Sequence, residues 1–141
     1  MTSSTTAGAG LSAADFEKFR EYFYKRTGIF PIMHLVVLRR DVYERHRWAA
    51  MNLTKAFEEA KNRSLARAAD ITLSFFPLPW TPDYAGLSRA VMGEDFWPYG
   101  VEANRRTLEA FVQYGFEQGV SKRRLKVEEL FAPETLERAK I

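Results

Sequence analysis

Cysteine is absent from this 141-residue chain, which excludes both a disulfide framework and a thiolate zinc site. Histidine occurs only twice, at His34 and His46, with no His-x-x-x-His spacing, and no metal site is expected. There is no glycine-rich phosphate loop and no nucleophile elbow, so the residues name no cofactor. No apolar stretch is long enough to span a bilayer, so no membrane partner is expected. A net charge of +3 is too small, and too scattered, for a nucleic-acid footprint. The basic runs Arg39-Arg40, Arg105-Arg106 and Lys122-Arg123-Arg124 are short and lie near acids. Met1 to Gly10 has neither the basic start nor the apolar core of a secretory signal. Residues 1–11 therefore read as a flexible leader, and the cytoplasm is the default compartment.

What is present suits one globular domain over residues 12–141. Apolar residues make up 46% and charged residues 28%, enough for a core and a solvated surface. Aromatics reach 14% and cluster at Phe16 to Tyr24, Phe75 to Tyr84 and Phe96 to Tyr99. Such clusters mean dense packing or a binding surface, and composition does not separate the two.

Ser12, with Asp15 three residues on, predicts a capped helix from Ala13 to Arg26, closed by Gly28. The run Ile29 to Arg40 is apolar and branched, and predicts a strand over Met33 to Leu38, buried on both faces. Asp41 with Glu44 reads as a second capping box. It starts a long helix running on past Ala69. Ala49, Leu53, Ala56, Phe57 and Ala60 form its inner stripe, while Lys55, Glu58, Glu59 and Lys61 face water. Thr81-Pro82-Asp83 opens a helix to Met92, closed by Gly93. Gly93 to Gly100 is an aromatic and acidic loop. A helix from Val101 to Gln118 then buries Leu108, Phe111, Val112 and Gly115, and short turns follow at Val127 to Phe131 and Pro133 to Arg138. The result is a mainly α chain with a little β. Its one buried strand would need partners that the chain hardly offers.

Three strings carry a resemblance: Gly28 to His34 (GIFPIMH), Met92 to Arg105 (MGEDFWPYGVEANR) and Glu128 to Thr135 (EELFAPET). Together with Arg39 to Glu44 and Lys55 to Ala60 between them, they resemble the 4,5-dihydroxyphthalate decarboxylase family, over about Phe16 to Leu136. The resemblance implies the C-terminal portion of a two-lobed α/β fold like that of type 2 periplasmic binding proteins. It also implies loss of one carboxylate from 4,5-dihydroxyphthalate to give protocatechuate. The partner it implies is a small aromatic carboxylate. Family members are longer, so a missing N-terminal lobe, or a second copy of the chain, is expected to complete the cleft.

Such chemistry needs a grip on one carboxylate, a dry place for the other, and an acid for the ring carbon. His34 is the only ionisable group between Gly28 and Leu38, and an imidazole ordinarily titrates near neutral pH. It is the candidate catalytic acid on the strength of the resemblance; a buried imidazole bonded to backbone is the structural alternative. Trp97 and Tyr99 are candidates for stacking on the substrate ring, or they plug the lobe. Arg105 is a candidate carboxylate clamp, or part of a solvated face with Arg106. Glu94 and Asp95 cap a helix or ligate a hard cation, although adjacent carboxylates are a weak metal signal. Three functional readings remain: a decarboxylase segment inactive alone, a non-catalytic substrate-binding module, or an inactive truncated remnant. An orphan strand and open aromatic faces predict an apolar surface beyond the few hundred Å² usual on a monomer. Sedimentation of the isolated chain should therefore show self-association, with hydrophobic dye binding; a monodisperse, cooperatively melting monomer would count against this.

Overall fold

The structure, a computed structural model, describes residues 12–73 and 75–136. The leader at 1–11 and the end of the turn expected at Arg138 lie outside them. The described residues are mainly helical: α1 (Ala13–Thr27), α2 (Arg40–Arg45), α3 (Trp48–Ala69), α4 (Thr81–Met92) and α5 (Arg105–Glu117). Single 3-10 turns occupy Glu102–Asn104, Val127–Leu130 and Pro133–Thr135. The chain divides after Phe30 into two compact units.

The first unit carries α1. Its start is the expected one: the Asp15 backbone N–H donates to Ser12 Oγ at 3.1 Å, and the Ser12 hydroxyl donates to Asp15 Oδ2 at 2.6 Å. Gly28 ends it in the left-handed region at φ 65°, with its N–H on the Tyr24 carbonyl. Only glycine takes that conformation without strain. Phe19 and Phe23 stack with centroids 6.3 Å apart, and both rings remain largely exposed.

The second unit begins with the largest departure from expectation. Met33 to Leu38 forms no strand, and no strand occurs among the described residues. The run is irregular and exposed, with Val37 85% accessible. A strand is defined by its ladder, and no described segment offers this one a partner. The β-branched composition is therefore real but unused. The second capping box also fails to form. Arg39 holds Asp41 from both carboxylate oxygens and Arg45 joins it, so the acid is spent on guanidinium groups rather than on the helix end. The expected long helix breaks at His46 and Arg47 into α2 and α3.

α3 packs against α4 and the Pro133–Thr135 turn. Its covered positions run through Ala50, Thr54, Glu58, Lys61, Leu65 and Ala68, spaced three or four apart as one helical face requires. The expected stripe holds in its first part and not in its second: Ala49 and Leu53 are half-buried, but Ala56, Phe57 and Ala60 are exposed, while Glu58 and Lys61 point inward. The buried residues Val101, Leu108, Val112 and Val127 form the core cluster of this unit, with Leu125, Phe131 and Leu136 packed against it. Phe111, expected inside α5, is 64% exposed. Tyr43 ties the front of the unit to its end, its hydroxyl donating to Glu134 Oε2 at 2.6 Å.

The core assignment is testable by contrast. Leu108→Ala removes a buried side chain from a small cluster and should cost about 2–3 kcal/mol. Phe111→Ala, on the same helix but facing water, should stay within about 0.5 kcal/mol. Urea unfolding of both variants checks this, and equal losses would show that α5 is rotated from the orientation described.

Candidate functional site

The chemistry-bearing residues of the second unit gather where the middle of α3 meets the loop after α4. Lys61 is the anchor. Its side chain is only 3% accessible, a rare state for an ammonium, which pays heavily for leaving water. It is tolerated because Nζ donates to Glu58 Oε1 at 2.8 Å, one turn earlier on α3, and to Asp95 Oδ1 at 3.0 Å. The Tyr99 ring centroid lies 5.2 Å away on a third side, a cation–π distance. Burial acts to lower the Lys61 pKa, but the hydrogen bonds to Glu58 and Asp95 outweigh it, and the value is raised. Lys61 is therefore a fixed cation. It is not poised as a base or a Schiff-base nucleophile, both of which need a depressed pKa.

Lys61 also fixes the aromatic loop. The loop leaves α4 at Gly93, in the left-handed half of backbone space at φ 94°. Asp95 is held by Lys61, and the Asn104 amide donates to the carbonyls of Pro98 at 2.8 Å and Gly100 at 2.9 Å. Pinned at both ends, the loop presents Trp97 and Tyr99 with rings partly accessible. Such rings can stack on a planar ligand at little further cost in side-chain entropy. Glu94 and Asp95 do not act together: Glu94 lies 3.0 Å from Arg89 Nε while Asp95 faces Lys61. The Arg89 Nε–H is buried and off the line to Glu94, so it makes no hydrogen bond among the described residues. A shallow depression lined by Glu58, Asn62, Arg89, Glu94 and Asp95 opens beside this cluster.

The sequence candidates are distributed as follows. Trp97 and Tyr99 share the pinned loop. Arg105 opens α5, where its guanidinium binds Glu102, Glu128 at 2.9 Å and Glu109 at 3.7 Å. Glu102 and Glu128 hold its pKa well above the ordinary value, and a substrate carboxylate would have to displace one of its partners. His34 is exposed in the irregular segment before α2, and no described contact joins it to the loop or to Arg105. Lys61 was missed as a site residue because it lies among the charges Lys55, Glu58 and Glu59, which read together as a solvated face. The signal that could have found it is the i, i+3 carboxylate at Glu58 combined with a distant acid in an aromatic loop.

Among the described residues no helix is long and apolar enough to cross a membrane. No family model matches the chain. Over 127 residues, or 90% of its length, the chain is 38% identical to the 4,5-dihydroxyphthalate decarboxylase of Comamonas testosteroni. It spans 38% of that protein's length.

Lys61→Met keeps the length and apolar stem while deleting the charge, leaving Glu58 and Asp95 uncompensated. Breaking a well-buried pair costs roughly 3–5 kcal/mol; because Asp95 is itself about a third accessible, about 1–3 kcal/mol is expected. A raised lysine pKa stabilises the fold fully below the unfolded value of about 10.4 and is lost as pH climbs through the higher folded value. The gap in melting temperature between wild type and Lys61→Met should therefore hold at pH 7–9 and close above about pH 10.5. A gap that stays constant into that alkaline range would show that the charge contributes nothing.

Proposed function

From this chain's kinship with 4,5-dihydroxyphthalate decarboxylase, we propose that it carries part of a carboxy-lyase site acting on 4,5-dihydroxyphthalate or a closely related aromatic dicarboxylate. The sequence identity over nine tenths of the chain carries this reading. In the reaction the bond between ring and carboxylate carbon breaks, carbon dioxide leaves, and the electron pair stays on the ring. An acid then protonates that carbon. The ring hydroxyls assist by letting charge pass through a dienone-like intermediate.

Trp97 and Tyr99 are the proposed stacking surface, supported by a loop already clamped by Lys61 and Asn104. Arg105 is the proposed clamp, exchanging one of its three carboxylates for the substrate's. His34 is the proposed acid. In the open segment it occupies here, water competes for every hydrogen bond, so the reading requires further polypeptide to cover it and dry the site. That requirement fits a two-lobed arrangement of the type 2 periplasmic-binding-protein kind, in which this chain supplies the C-terminal portion.

A chimera tests this directly: the 127 matched residues replace their counterparts in the full-length Comamonas protein. The chimera should release carbon dioxide from 4,5-dihydroxyphthalate. Within it, His34→Asn should lower turnover by roughly 10²-fold while the melting temperature stays near that of its parent, since Asn keeps one donor and one acceptor. Undiminished turnover in His34→Asn would remove that residue from the chemistry. A folded chimera that binds the substrate without releasing carbon dioxide would favour a substrate-binding module.

A further inference from the structure

Where α3 gives way to α4, the chain folds a second pocket distinct from the Lys61 cluster, and nothing so far assigns it a role. Arg67, Asp70, Leu73, Phe75, Phe76 and Pro79 line it, with Thr81 and Pro82 bringing in the start of α4. We infer that this pocket binds a single-ring hydroxylated aromatic carboxylate, with Arg67 at the carboxylate end and Asp70 at the hydroxyl end. The inference rests on the aromatic-carboxylate reading given above and adds a second place for such a ligand, apart from the loop of Trp97 and Tyr99.

Size sets the first limit. The pocket holds about 110 Å³, well under the roughly 300–1,000 Å³ of sites for drug-sized ligands. It accommodates one ring partly enclosed, and not a fused or extended aromatic. Chemistry sets the second. Phe75 and Phe76 are part of the lining, and the Arg67 guanidinium carbon lies 5.7 Å over the Phe75 centroid. Arg67 makes no ion pair with a carboxylate among the described residues. In this respect it differs from Arg39, Arg45, Arg63, Arg89, Arg105 and Arg123. A guanidinium without an ionic partner, lying over one aromatic face, suits a planar carboxylate, which it can grip through two parallel hydrogen bonds.

Asp70 opposes an anion, and its charge is secure: hydrogen bonds from the Thr72 hydroxyl at 2.6 Å and backbone N–H at 2.8 Å lower its pKa. A carboxylate has about four acceptor positions, so Asp70 can still receive a phenolic hydroxyl. The lining thus carries one charge of each sign, and a ring bearing both a carboxylate and hydroxyls offers a partner to each. The helix ends nearly cancel, because the close of α3 and the opening of α4 each bring about half a charge of opposite sign. The full charges of Arg67 and Asp70 decide the polarity.

Amide chemical shifts of the whole chain, followed by two-dimensional NMR, test the assignment with 3,4-dihydroxybenzoate as the probe. Shifts should cluster at residues 67–82, separately from any at the Trp97 and Tyr99 loop. Arg67→Met, which keeps the apolar stem, should weaken binding at least tenfold, and 3,4-dihydroxycyclohexane carboxylate should bind far more weakly than the flat probe. Asp70→Asn should lose the preference for the dihydroxy probe over benzoate. No saturable binding, shifts confined to 93–100, or an unaffected Arg67→Met would each overturn the inference. Carbon dioxide release by the chimera is scored separately. Release without binding at 67–82 sinks this pocket and leaves the reaction; binding at 67–82 without release does the reverse.

Discussion

The Lys61 ammonium, shut away from water, has to find partners for its hydrogens inside the protein. It does so with Glu58 and Asp95, at 2.8 and 3.0 Å, and with the face of Tyr99. Because Glu58 shares a helix with Lys61, that bond positions nothing new. The bond to Asp95 is the one that matters: it reaches 34 residues along the chain and brings the loop after α4 against α3. The bond also goes with the face that α3 turns inward, on which Glu58 and Lys61 are covered while Phe57 and Ala60 stay exposed. The cost of desolvating the charge is met locally, and the return is a loop with one defined position.

The remaining ion pairs are of another kind. Arg105 with its three glutamates, Arg123 with Glu129, and Arg39 with Asp41 lie in water-accessible surroundings, where pairs of this sort add little stability. Their effect is to occupy the guanidinium groups. That leaves Arg67, beside Phe75, as a cation facing aromatic surface without an ionic partner among the described residues, and it separates the two pockets by chemistry. Lys61 is answered by Glu58 and Asp95 from within the chain, whereas at the α3–α4 junction Arg67 and Asp70 form no ion pair among the described residues.

Local grammar was legible in the sequence, and tertiary choice was not. Ser12, Gly28, Pro82 and Gly93 mark the ends of α1 and α4 because capping depends on backbone hydrogen bonds within a turn. The two short turns near the end of the chain follow the same logic. Met33 to Leu38 misled because β-branched residues report a preference for pleated, half-buried surroundings, and those surroundings have to come from elsewhere in the fold. The face of α3 misled because both of its sides carry small or apolar residues, so periodicity alone admits two orientations. The long-range bond from Lys61 to Asp95 then selects the less apolar one. Trp97 and Tyr99 were found through their unusual string, while the clamp that holds them was invisible until α3 and the loop were placed together.

The core cluster, from Val101 to Val127 with its packing neighbours as far as Leu136, occupies one continuous stretch of chain. The Tyr43 to Glu134 hydrogen bond spans 91 residues. Chain-entropy scaling makes closing that loop, three to four times longer than the one joining Val101 to Val127, dearer by about 1 kcal/mol. A single part-buried hydrogen bond supplies about that much. The order of assembly follows: α5 and the turns after it condense first, from contacts close in sequence and hence fast to form. The front of the second unit docks onto them afterwards, through the Tyr43 to Glu134 bond and the packing of α3 on the Pro133–Thr135 turn.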